Sequence, residues 1–149
     1  MELAEIGKNI LTNCMNVKPG ENVLIVTDDE KYAIGQALYQ AAKLLKAEAM
    51  LMTMPAREVS GQEPPSVVAA AMKAADVVIC PMKTSITHTR AKIEAAEAGA
   101  RIATMPGITE EMFAMGAMTA DYSRVMALTE QVTDLLTKAN TARIEKDGH

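Results

Sequence analysis

The chain has 149 residues, 49% hydrophobic and 23% charged, with 15 Lys and Arg against 19 Asp and Glu for a net charge of -4. A chain of this size and balance folds as a globular domain burying roughly 68–70% of its unfolded surface, which excludes intrinsic disorder. The acidic balance gives no basic footprint for nucleic acid, and one Phe, three Tyr and no Trp leave no stacking platform for bases.

In chain order, Leu3, Ile6, Ile10, Leu11 and Cys14 recur at helical spacing and predict an amphipathic helix from about Glu2 to Met15. Pro19-Gly20 makes a turn, and Asn22–Thr27 is a continuously apolar strand of the kind found inside a parallel sheet. Asp28 or Asp29 is then expected to cap a helix from about Glu30 to Lys46, striped by Ile34, Leu38, Ala41, Ala42 and Leu45. Glu48–Met54 is the second strand, Ala56–Pro65 a loop, and Pro65 opens a third helix to Ala74.

Asp76–Pro81 is the third strand, Lys83–Thr87 a polar loop, and His88–Ala98 a helix closed by Gly99. Arg101–Thr104 is a fourth strand. A short helix over Thr109–Gly116 and a long one over Ala120–Ala139 follow, the latter with Val125, Leu128, Val132, Leu135 and Leu136 on one face. Ala142–Lys146 has the pattern of a fifth strand at its start. Strands alternating with helices define an α/β fold, a doubly wound (Rossmann-like) parallel sheet of about four to five strands with helices on both faces. Residues 1–149 are expected to form a single domain.

The twelve Met residues fill volume that aromatics leave empty. Cys14 and Cys80, far apart and in apolar surroundings, are expected to be reduced and buried, as in a cytoplasmic protein. The acidic start MELAEIGKNIL is unlike a signal peptide, and no apolar run approaches the roughly 20 residues that span a bilayer.

The chemistry the sequence lacks is informative. Thr27-Asp28-Asp29-Glu30 stands where a G-x-G-x-x-G phosphate loop would follow the first strand, and like charge disfavours pyrophosphate there. P-loop, H-E-x-x-H, G-x-S-x-G and paired C-x-x-C motifs are all missing, so no catalytic or metal-binding residue is assigned. Three consecutive acids at Asp28–Glu30 suit capping and solvation better than convergence on one cation. The best ligand-binding candidates are Thr84, Ser85, Thr87, His88, Thr89 and Arg90. There hydroxyls, the amides of a helix start and an Arg can together hold a small carboxylate or phosphate. The plainer alternative is that Thr87 or Thr89 merely caps the helix. Thr109 is likewise expected to cap the next helix and Asp121 the last.

The segments VKPGENVLIVTD, AADVVIC, TSITHTRAKIEAAEAGARIATMPGITEEMF and DYSRVM, taken in order, resemble the N-terminal domain of the thermophilic-type metallo-aminopeptidases, the leucyl aminopeptidase-like group of aminopeptidases T and S. That resemblance implies an α/β module preceding a separate catalytic domain in a homodimeric hydrolase. In such a hydrolase two divalent ions (Zn, Co or Mg) activate water against the N-terminal peptide bond of a peptide substrate. None of the ligands can be carried onto this chain, so by itself it is expected to be non-catalytic and without cofactor. The partner is then the missing catalytic domain or a second copy. Two other readings stay open: a free-standing domain binding a small anion at the Thr84–Arg90 loop, and a docking subunit with an exposed apolar face on its terminal helices.

Overall fold

A computed structural model describes residues 3–146. Its elements run α1 (Leu3–Asn13), β1 (Asn22–Asp28), α2 (Tyr32–Leu44), β2 (Glu48–Met54), α3 (Ser66–Ala74), β3 (Val77–Met82), α4 (Arg90–Glu97), β4 (Arg101–Pro106), α5 (Glu110–Ala114), a 3-10 turn (Gly116–Thr119) and α6 (Tyr122–Lys138). The chain divides into two compact units, Met1–Thr119 and Ala120–His149. The first unit holds the sheet and the second holds α6.

The four strands are parallel in the order β2-β1-β3-β4. The chain moves from β1 outward to β2, returns past β1 to β3 and continues to β4, so the winding reverses between β1 and β3. Alternation along the strands sorts the apolar residues onto two faces. Val23, Ile25, Val77 and Ile79 meet Ile6, Ile10, Leu11, Ile34, Leu38 and Phe113 from α1, α2 and α5. Leu24, Val26, Val78, Cys80 and Met82 meet Val68, Met72, Ala91 and Ala95 from α3 and α4. Helices on both faces make the doubly wound arrangement that the alternating pattern predicts. Burying each large aliphatic side chain of these layers contributes about 1.5–3 kcal/mol.

Close approach requires one glycine and leaves a second tightly placed. A Cβ on Gly35 of α2 would stand 2.9 Å from both Cβ and Cγ2 of Thr27, and one on Gly7 of α1 would stand 3.1 Å from Ala41 Cβ. At the base of the sheet, Arg101 donates through Nε to the Met15 carbonyl at 3.0 Å and pairs with Glu21 at 2.6 Å. That guanidinium holds the Glu21 carboxyl below its ordinary range.

Several expectations are corrected. The α2 helix starts at Tyr32, and its Lys31 N-cap makes no side-chain cap bond; the Asp28 carboxylate instead accepts the Glu30 and Lys31 N–H groups in the turn ahead of it. The α4 helix starts at Arg90 after the Thr89 cap, and β4 runs on to Pro106 because its pairing with β3 continues through Met82. Ala142–Lys146 forms no strand. Cys14 is exposed, lying just past the end of α1, while Cys80 is buried in the sheet. Met15, Met54, Met72 and Met82 fill the core as expected, whereas Met50, Met112, Met115 and Met126 are exposed. The expected helix start at Glu2 lies outside the described residues, as does His149. Among the described residues no helix is long and apolar enough to cross a membrane.

Candidate functional site

Where the winding of a parallel sheet reverses, the loops at the carboxyl ends of the strands part and leave a crevice. Here that crest is built from the β1–α2 loop, the β3–α4 loop and the upper part of β4. Its centre is Asp28, the last residue of β1 and fully buried. One carboxylate oxygen accepts the backbone N–H groups of Glu30 and Lys31, both at 3.1 Å, and the other accepts the Lys83 N–H at 2.6 Å. Above it the Lys83 ammonium donates to Glu30 at 2.6 Å, a contact that raises the Lys83 pKa. Beside it Thr27 donates from its hydroxyl to the Pro81 carbonyl at 3.0 Å. A buried carboxylate needs such partners, and three amides supply them.

The six candidates of the β3–α4 loop part company. Ser85 and Thr87 form a hydroxyl line: Ser85 Oγ lies 2.9 Å from Thr87 Oγ1, which lies 2.9 Å from Thr104 Oγ1 on β4. Thr89 is the α4 cap, buried, donating to the Ile86 carbonyl at 2.7 Å and accepting from the Lys92 N–H at 3.3 Å. Thr84 turns to the Arg57 carbonyl at 3.5 Å. His88 is exposed. The Arg90 guanidinium lies along its own helix toward Glu94, at 3.4 Å.

Two further residues contribute, of which Glu63 carries no sequence signal of its role and Thr104 opens the second polar stretch after a strand. Glu63, in the irregular β2–α3 segment, accepts the Arg90 N–H at 2.6 Å and the Ala91 N–H at 3.2 Å. The first amides of α4 are therefore occupied by a carboxylate of the chain itself. The same segment hydrogen-bonds Ser85 on both sides, from Gly61 N–H to its carbonyl at 2.8 Å and from its own N–H to Ser60 Oγ at 3.2 Å. Thr104 is the second: the β3–β4 register sets it beside Cys80, and its hydroxyl meets that of Thr87 from the loop above. A recess of about 220 Å³ lies between the crest loops, lined by Glu30, Lys31, Ile34, Ile108 and Thr109. Among the described residues no group of three or more His, Cys, Asp or Glu is placed to hold a metal ion.

The fold and crest define a doubly wound α/β protein with the Asp28–Lys83 tie at its switch point and a hydroxyl line from the β3–α4 loop to β4. Residues 2–148 match the family NicX: 2,5-dihydroxypyridine 5,6-dioxygenase, and the chain belongs to that family. Of solved structures, the 2,5-dihydroxypyridine dioxygenase of Pseudomonas putida KT2440 is similar at 18% identity and a TM-score of 0.58, covering 70% of this chain and 33% of its own. Wild-type AmpT from Thermus thermophilus matches at 13% identity and a TM-score of 0.46, over 70% of this chain and 35% of its own. A putative enoyl reductase domain of a polyketide synthase matches at 11% identity and a TM-score of 0.39, over 97% of this chain and all of its own. No curated protein matches the chain. The chain spans about a third of the length of the Pseudomonas enzyme.

The family match corrects the aminopeptidase reading, and with it the assignment to leucyl aminopeptidases, metallopeptidases and hydrolases. The segments that suggested it are scaffold: β1, β3, the Thr89-capped α4, the Gly107 turn at φ +68 and the Asp121 cap. Scaffold segments report a shared fold and no chemistry. At the helix start where a small anion was expected, the Glu63 carboxylate accepts the Arg90 and Ala91 amides.

Proposed function

We propose that this chain is the α/β module of a protein that acts on a hydroxylated pyridine, adding dioxygen at C5 and C6 of a 2,5-dihydroxypyridine. The observation that carries the reading is the family match over nearly the whole chain. Addition of O2 to an aromatic ring calls for a redox-active centre, and a mononuclear iron held by two His and a carboxylate is one established solution. Among the described residues His88 is the sole histidine, exposed and outside any ligand cluster, so this part of the chain does not fit such a centre. In this reading residues 1–149 act as one module, and the oxygen-activating groups come from a further domain or a partner chain. A homo-oligomer is the natural setting, since each copy then presents the same crest.

The crest supports a neutral, hydrogen-bonding ligand. The part-buried hydroxyls of Ser85, Thr87 and Thr104 donate and accept, as ring hydroxyls require. Arg57, whose carbonyl accepts from Thr84, has a buried Nε without a hydrogen-bond partner. Thr84, His88, Thr89 and Arg90 then shape the loop around the hydroxyl line.

Deletion of the coding sequence from its genome tests the reading. Extracts are expected to lose O2-dependent consumption of 2,5-dihydroxypyridine, followed by its ring absorbance, and to regain it on complementation. Unchanged consumption overturns the proposal.

A further inference from the structure

Residues 55–65 join β2 to α3 without regular structure, and both ends of the segment are fixed. Met54, the last residue of β2, is 3% exposed, and Pro64 is buried just ahead of α3. Between them no residue from Pro55 to Glu63 enters either apolar layer. Val59, the one large aliphatic side chain of the stretch, is 62% exposed. A segment with so few buried apolar contacts lies at the low end of local stability and can open without the rest of the fold.

The contacts that tie it down are polar and fall on the β3–α4 loop and the start of α4. Glu63 accepts the Arg90 and Ala91 N–H groups, one on each carboxylate oxygen, at 2.6 and 3.2 Å. Gly61 donates its N–H to the Ser85 carbonyl at 2.8 Å, and Ser60 Oγ accepts the Ser85 N–H at 3.2 Å. The Thr84 hydroxyl reaches the Arg57 carbonyl at 3.5 Å. Charge assistance makes the Glu63 pair the strongest of these. Against them stands the buried Nε of Arg57, which has no acceptor among the described residues. A buried donor left unpaired is costly, and release returns it to water.

We propose that residues 55–65 act as a hinged strap, latched by Glu63 and biased toward opening by Arg57, whose release frees Ser85 and with it the hydroxyl line to Thr87 and Thr104. The strap grips the Ser85 backbone on both sides, and the Ser85 hydroxyl begins that line. Pro55 and the Pro64-Pro65 pair stiffen its two ends, and Gly61, at φ +86, supplies the bend between them. The device is read from the strap's own contacts and is independent of what the crest binds.

Amide hydrogen exchange of the full chain tests it. The Gly61 and Ser85 amides are expected to share one level of protection, well below that of the core amides of β3. Glu63→Ala leaves the bonds of Gly61 and Ser85 themselves intact, yet should speed the exchange of both together by about 10- to 100-fold. Glu63→Gln keeps an acceptor and the same shape, so it gives a smaller shift in the same direction and serves where the alanine variant does not fold. Arg57→Met removes the unpaired donor, keeps an apolar stem and should slow the exchange. Gly61 and Ser85 amides protected as strongly as the β3 core overturn the proposal, as do Glu63 variants that accelerate only Arg90 and Ala91. An unchanged or faster rate in Arg57→Met overturns the opposing role of Arg57.

Discussion

The Asp28 carboxylate receives the Lys83 backbone N–H at 2.6 Å, across 55 positions of sequence. One side chain thus ties the end of β1 to the end of β3 at the point where the winding reverses. Asp28→Ala removes the carboxylate from three amides and leaves those of Glu30 and Lys83 without that acceptor, while the Lys31 N–H keeps the Asp28 backbone carbonyl. A loss of about 2–4 kcal/mol is expected, at the level of a removed charged hydrogen-bonding group. Urea unfolding measures it, and hydrogen exchange at the Lys83 amide should accelerate more than at the core amides of β3.

The hydroxyl line joining Ser85, Thr87 and Thr104 links the proposed ligand to stability. Thr87→Val keeps the shape and removes the central hydroxyl, at a cost of about 0.5–1.5 kcal/mol. Added 2,5-dihydroxypyridine is expected to raise the melting temperature of the wild-type chain and not that of the variant. Equal shifts in both would remove the crest from ligand binding.

The packing of α2 on β1 leaves no room at Gly35. Gly35→Ala forces a Cβ to within 2.9 Å of two Thr27 carbons and should destabilise by about 1–3 kcal/mol. The Thr27→Ser partner substitution removes one of those carbons, so in the double variant part of the loss should return. Thermal unfolding of the four proteins gives the coupling directly.

Acid weakens the base of the sheet. The Arg101 guanidinium holds the Glu21 pKa below its ordinary value, so the folded state binds that proton less readily than the unfolded chain. The resulting stability is present above the ordinary carboxylate pKa and is lost as pH falls through the lowered one. Because the Arg101 side chain is 42% exposed, the effect is expected below about 1 kcal/mol. Stability against pH for Arg101→Met should lose this acid limb.

The two thiols differ in reactivity. Burial pushes the Cys80 pKa up to about 12, whereas Cys14 is exposed. A thiol reagent near neutral pH is expected to titrate one group in the folded chain and two after denaturation. Rapid reaction of both in the native state would contradict the buried placement of Cys80.

Much of the scaffold is legible in the letters. The runs Asn22–Thr27 and Asp76–Pro81 are apolar without alternation because both strands lie inside the sheet and are covered on both faces. Thr89, Thr109 and Asp121 cap the helices they precede. What escaped was long-range: nothing local distinguishes an Asp that caps its own helix from one that reaches a loop 55 residues away. Glu63 lies among prolines with no periodic pattern, and its partners become its neighbours only when the α3–α4 layer closes. Cys14 has the right helical spacing for burial, but α1 ends at Asn13, one residue too early to carry it inward. Ordered scaffold segments also cannot tell two families on one architecture apart, which is why the peptidase resemblance failed.

Because Glu63 already accepts the first two amides of α4, the positive pole of that helix is met by a carboxylate of the chain itself. Under the proposed function, recognition at the crest would then rest on matching donors and acceptors rather than on the pull of a helix end.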